Sequence, residues 1–74
     1  MADHSAKYRQ LGLNIAYYRN KNGLTQEELA EKLDLSLSHI GKIETATGGK
    51  PSLEVVFSIA DLLNIDVIKL FESR

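Results

Sequence analysis

Apolar residues recur at three- and four-residue spacing through successive segments of this chain, and each run is broken where turn-forming residues stand. That period lines the apolar side chains of a run along one stripe of a helix. The chain carries no strand signal.

Tyr8, Leu11, Ile15 and Tyr18 make the first stripe, and Asn22-Gly23 stops it. Thr25, followed three residues later by Glu28, has the spacing of a capping box, in which hydroxyl and carboxylate satisfy each other's backbone amides. It opens a second helix with Leu29, Ala30 and Leu33 inward. Glu27, Glu28 and Glu31 fall near its amino-terminal half, where the helix dipole favours acids. Asp34, a residue that tolerates left-handed geometry, joins that helix to the next in very few residues. Ser36 is the N-cap of a third helix running to about Glu44, with Leu35, Ile40 and Ile43 inward and Leu37, Ser38, Gly41 and Lys42 outward. Thr45-Ala46-Thr47-Gly48-Gly49-Lys50-Pro51 has no apolar period and reads as a mobile loop. Ser52 caps a fourth helix; Val55 three residues on makes this a simple cap. Leu53, Val56, Phe57, Ala60 and Leu63 are expected inward, Asn64 ends the helix, and Asp66 caps a short last one with Val67, Leu70 and Phe71 inward. The predicted fold is all-α, a compact five-helix bundle over 1–74 with residues 1–5 flexible.

At 74 residues the chain is one domain, and folding at this size buries only roughly 60% of the surface of the unfolded chain. With no cysteine and only His4 and His39, neither a disulfide nor a metal site supports it; no metal and no cofactor are expected. No stretch approaches a membrane span, and MADHSAKYRQ lacks the order of a signal peptide, so a cytoplasmic protein with no membrane partner is expected. No Ser/His/Asp set, metal spacing or strand-flanked glycine loop argues for an enzyme; Gly48-Gly49-Lys50 lacks the strand a phosphate loop needs. The net charge of −1 is not that of a free-standing basic nucleic-acid binder. Its distribution leaves room for one. Residues 25–34 set four acids against Lys32, and residues 53–74 set four against Lys69 and Arg74. Residues 1–24 carry Lys7, Arg9, Arg19 and Lys21 against Asp3 alone.

Two short helices joined by a tight turn, Gln26–Leu33 and Leu37–Glu44, form a layout in which the second helix can enter a major groove while the first crosses the backbone. Such pairs also occur in bundles that bind nothing. The run Gly23-Leu24-Thr25-Gln26-Glu27-Glu28-Leu29-Ala30-Glu31-Lys32-Leu33, then Ser36 through Ile43-Glu44, Pro51-Ser52-Leu53, Ile59-Ala60, Leu63 and Leu70-Phe71, resembles the lambda-repressor/Cro-like (XRE-like) helix-turn-helix family over about Leu11 to Phe71. The resemblance implies the phage-repressor type of DNA-binding domain, with the helix-turn-helix at about 25–44. It further implies a transcriptional regulator, in the main a repressor, that binds double-stranded DNA at a two-fold operator as a homodimer.

Carried over position by position, the resemblance gives Ser36, Leu37, Ser38 and Lys42 as residues that reach base edges. Lys42 suits guanine O6 or N7, or a phosphate. Leu37 offers apolar contact to a thymine methyl group or, equally, to a partner protein. Thr25, Gln26, His39 and Lys50 fall at backbone-contacting places; a solvated first-turn Gln26, a partly buried or solvated His39 and a solvated loop Lys50 are the plainer readings. Arg19 and Glu44 match a structural ion pair between the first and third helices. Ile65, Val67, Ile68 and Phe71 lie where relatives dimerise, and Leu13 with Tyr17 on the outward side of the first helix is a second candidate surface. Leu37 and Gly41 stand where relatives commonly carry long polar side chains, so direct readout is thin and DNA shape or dimerisation must carry more. The competing class is a protein-interaction module, such as an antitoxin that masks a partner protein and represses its own operator.

Overall fold

The computed structural model describes residues 3–48 and 50–73; the Gly49 of the loop lies outside them, as do residues 1 and 2 of the stretch expected to be flexible. Within that stretch the Asp3 carboxylate accepts from the Ser5 N–H at 2.9 Å, and Ser5 is already helical. The chain forms α1 (Ser5–Lys21), α2 (Gln26–Leu33), α3 (Leu37–Thr45) and α4 (Leu53–Leu62), followed by a 3-10 helix (Val67–Phe71), with no strand among the described residues. Four α-helices and one 3-10 turn replace the five helices expected. The last element is five residues long and carries the i to i+3 bond from the Lys69 N–H to the Asp66 carbonyl, the tighter form that suits so short a piece.

Each helix boundary has a local chemical cause. α1 ends at Lys21, two residues before Gly23, whose left-handed φ of 72° favours a residue without Cβ. Thr25 and Glu28 close the capping box: the Thr25 hydroxyl accepts from the Glu28 N–H at 3.0 Å and Glu28 accepts from the Thr25 N–H at 2.9 Å. α2 stops at Asp34, in left-handed geometry with φ 57°, while the Leu35 N–H reaches back to the Ala30 carbonyl. Ser36, Ser52 and Asp66 cap the next three elements through their side-chain oxygens. Ala46 ends α3 with φ 57°, a conformation that disfavours any residue bearing Cβ.

The core is one cluster built on Leu11, Ile15, Leu29, Ile40, Ile43, Val56, Ile59, Leu63 and Leu70, all nearly inaccessible. α1 packs against α3 and the 3-10 helix, and α2 against α3 and α4. Each such side chain contributes about 1.5–3 kcal/mol by leaving water.

Three residues expected inward are not. Leu53 is 66% exposed, Phe57 51% and Phe71 54%, whereas Ile59, absent from the expected inward face of α4, is fully buried. Val56, Ile59, Ala60 and Leu63 make an i, i+3, i+4, i+7 row, and Phe57 lies one 100° step outside it. Leu53 extends that row by one turn beyond the last buried residue, Val56. Apolar character in α4 is therefore wider than the face the core uses.

Candidate nucleic-acid interface

α3 is held against the rest of the molecule from three directions. Gly12 of α1 lies so close to its carboxyl-terminal turn that a Cβ there would stand 2.5 Å from the carbonyl oxygens of both Ile43 and Glu44. Ile40 and Ile43 enter the core. Arg19 and Glu44 form a buried, two-pronged ion pair, with Nε donating to Oε2 at 2.7 Å and Nη2 to Oε1 at 3.2 Å. Arg19 also donates through Nη1 to the Leu24 carbonyl at 2.7 Å, which binds the α1–α2 connection to the same group. Every buried polar side-chain atom among the described residues has a partner.

The opposite side of α3 is open. Leu37, Ser38 and Lys42 are exposed and, with Gly41, form one patch, because 37 and 41, and 38 and 42, are one helical turn apart. Leu37 keeps 48% of its surface. A Cβ placed on Gly41 would meet nothing within 4 Å. Ser36 is also exposed, but its Oγ accepts from the His39 N–H at 3.0 Å, so its O–H and one lone pair remain to be offered. His39 is half-buried on the flank.

Beside this patch, the amino terminus of α2 opens onto a shallow depression lined by Arg19, Asn20, Gly23, Leu24 and Gln26 among others. Thr25 is exposed there with its hydroxyl and N–H committed to Glu28. That bond from the Thr25 backbone, with the hydroxyl second, holds the Glu28 carboxyl below its ordinary pKa. Gln26 is half-buried, and its Nε2 donates to Glu44 Oε1 at 2.9 Å, the same oxygen that Arg19 Nη2 binds. Lys50 stands apart from these, its ammonium 5.5 Å from the centre of the Tyr8 ring, within cation–π range.

The candidate dimerisation residues divide. Ile68 is 61% exposed and Phe71 54%, while Ile65 and Val67 pack against the core. Leu13 and Tyr17 are exposed on α1, where Lys21 sits 5.9 Å over the Tyr17 ring.

Two residues that matter here went unnoticed in the sequence. Gly12 interrupts α1 where no turn is wanted, and such a helix-interior glycine is itself a signal of close approach. Asn14 sits three residues after Leu11 and one before Ile15, on the buried side of α1. It is fully buried, accepts from Gln10 Nε2 at 3.0 Å, and donates to the carbonyls of Leu70 at 2.9 Å and Glu72 at 2.8 Å. It thereby ties the end of the chain to the middle of α1. The double role of Gln26 had no local signal.

Among the described residues no grouping of His, Cys, Asp or Glu has the make-up of a metal site, and no helix is long and apolar enough to cross a membrane.

Residues 15–70 match the helix-turn-helix family model. The HTH-type transcriptional regulator SinR of Bacillus subtilis is 28% identical over 64 residues, which span 86% of this chain and 58% of that protein, so the match covers little more than half of the relative. The HTH-type transcriptional regulator MJ0272 of Methanocaldococcus jannaschii is 41% identical over 59 residues, 77% of this chain and 85% of that protein. Among solved structures, the restriction-modification controller protein C.AhdI from Aeromonas hydrophila superposes with a TM-score of 0.82 at 32% identity, covering 95% of this chain and all of that one. SinR in complex with DNA superposes with a TM-score of 0.76 at 29% identity, covering 84% and 98%.

Proposed function

This chain belongs to the helix-turn-helix family, in its lambda-repressor/Cro-like (XRE-like) branch of DNA-binding transcriptional regulators, and from that premise we propose that it acts as a repressor, binding a two-fold operator as a homodimer through α3 in the major groove. The observation that carries the reading is the contrast within α3: an exposed patch of Leu37, Ser38, Gly41 and Lys42 on a helix whose other side is fixed by the Arg19–Glu44 pair and Gln26. In this reading residues 1–74 work as one cytoplasmic DNA-binding domain.

Ser36, Leu37, Ser38 and Lys42 meet base edges, with Lys42 donating to guanine or phosphate and Leu37 covering a thymine methyl group. Thr25, Gln26, His39 and Lys50 lie along the sugar-phosphate backbone. At the start of α2 the anion is met by backbone N–H groups and the helix dipole, since the Gln26 side-chain amide already serves Glu44. So short a set of base contacts leaves much of the specificity to DNA shape and to two-fold pairing of the protein. Ile68 with Phe71, or Leu13 with Tyr17, supplies the pairing surface; a concentration-independent monomer in sedimentation would exclude it. The exposure of Leu37 favours one second reading, an antitoxin-like module that docks a partner protein on this patch.

Fluorescence anisotropy decides between them. The protein is titrated against random duplex DNA and against DNA upstream of its own gene at two salt concentrations, with Lys42→Glu as control. Binding that prefers one sequence, weakens steeply with salt and disappears in the variant supports the regulator. No binding at low salt and dimer-forming concentrations overturns it in favour of a protein partner.

A further inference from the structure

Between the first turns of α1 and the start of α4 lies an apolar groove of about 280 Å³. Its floor is Leu11 and Val56, both buried, with the half-buried Tyr8 and Pro51 beside them. Leu53 and Phe71 also line it, and these are two of the most exposed apolar side chains in the molecule. The groove is larger than the ~150 Å³ cavity known to admit a benzene ring. Two large apolar side chains left in water along one groove mark a place where apolar surface is still to be covered.

The polar residues of the groove are His4 and Lys7; no acidic side chain lines it among the described residues. Lys7 Nζ donates to His4 Nδ1 at 3.3 Å, which holds the two together on the first turn of α1. Lys50 lies over the Tyr8 ring, adding a second ammonium on that side. The Asp3 carboxylate accepts from the Ser5 N–H and also faces Lys50, which leaves Lys7 as the cation of the groove lining itself. In a chain of net charge −1, this groove is an apolar slot with Lys7 at its margin and no acid in its lining among the described residues.

We propose that the groove is a docking site for a partner protein, which enters it with a short acidic amphipathic segment: an aromatic or aliphatic anchor between Leu53 and Phe71, flanked by a carboxylate that meets Lys7. DNA would satisfy Lys7 and leave the apolar lining bare. A purely apolar segment would cover the lining and desolvate Lys7 without pairing it. The site shares no residue with the patch on α3, so it stands whether or not α3 binds DNA; it shares Phe71 with one of the two candidate pairing surfaces, and so goes with pairing through Leu13 and Tyr17.

The test uses the whole chain and a blocked synthetic peptide, Asp-Phe-Asp-Asp-Leu-Leu, followed by amide NMR, with an otherwise identical peptide in which Asn replaces each Asp. The expected result is saturable shifts concentrated at Tyr8, Leu11, Val56 and Phe71, with the Asn peptide binding about fivefold more weakly. Leu53→Ala combined with Phe71→Ala should abolish the shifts. Both residues are exposed, and retained amide dispersion confirms that the variant folds. Lys7→Glu should weaken the acidic peptide and leave the Asn peptide unchanged. Absence of shifts at millimolar peptide, shifts elsewhere, or equal binding of the two peptides overturns the proposal. Groove shifts that appear on concentrating the protein alone also overturn it, since a second copy then covers the surface. So does a Lys7→Glu variant that loses DNA affinity and keeps the peptide isotherm.

Discussion

On its inner side α3 touches α1 at a glycine, sends Ile40 and Ile43 into the core and fixes Glu44 with three side-chain hydrogen bonds; on its outer side it presents a leucine, a serine, a glycine and a lysine with no side-chain hydrogen bond between them. The inner side is expensive in the sense that each of its contacts constrains another element. The outer side constrains nothing. What the difference teaches is that this helix commits its specific chemistry to its own placement and leaves a small set of groups open, which under the proposed function are the ones that read a partner. Affinity at such a surface depends on presenting few contacts at fixed positions.

The comparison breaks most visibly at Arg19. Arg19→Ala leaves the Glu44 carboxylate buried beside Gln26 alone, and should cost about 3–5 kcal/mol in urea unfolding while weakening DNA binding without touching DNA. Replacing the pair together, as Arg19→Met with Glu44→Leu, should recover most of that stability, which separates a lone buried charge from lost packing. Gly12→Ala is next. A Cβ against two carbonyls of α3 must push the helices apart, with a cost of about 1–3 kcal/mol and a change in the tilt of the outer patch.

The outer side predicts the reverse. Lys42→Glu should change the unfolding free energy by less than about 0.5 kcal/mol yet remove specific DNA binding, a loss of about 1–3 kcal/mol or more in affinity. A large stability change there would mean that the two sides are not independent. Ala46→Gly should raise stability by about 0.5–1 kcal/mol in thermal or urea unfolding, because it relieves the left-handed end of α3. The smallest effect concerns acid. The Glu28 carboxyl, held below its ordinary pKa chiefly by the Thr25 N–H, contributes stability that is present above that ordinary value and is lost as pH falls through the lowered one. Glu28→Gln should flatten this part of the acid limb of stability and leave neutral pH nearly unchanged.

How much of this was legible in the sequence follows from how far apart the interacting residues lie. Thr25 with Glu28, Asp34, Ser36, Ser52 and Asp66 act within three residues of themselves, so the helix boundaries could be read directly. The exposed positions of Leu37, Ser38 and Lys42 followed from the period of α3. Leu53, Phe57 and Phe71 were placed inward because hydrophobicity says that a residue is apolar, not whether a neighbour reaches it. Gly12 and Asn14 depend on backbone from α3 and from the chain end, more than 30 and more than 50 residues on, which no local pattern records. Gln26 fell between these cases: its place at the start of α2 was evident, its bond to Glu44 was not.

Gly41 is a vacancy in the middle of the outer patch, with free space where its side chain would be and a helix that any other residue except proline would strengthen. Under the proposed function, binding preference can therefore be changed at this one address without disturbing the scaffold. On that reading, a change to arginine, one base away from any glycine codon, adds a reader at no structural cost, so a lineage, or an engineer, can retarget the proposed surface in one step.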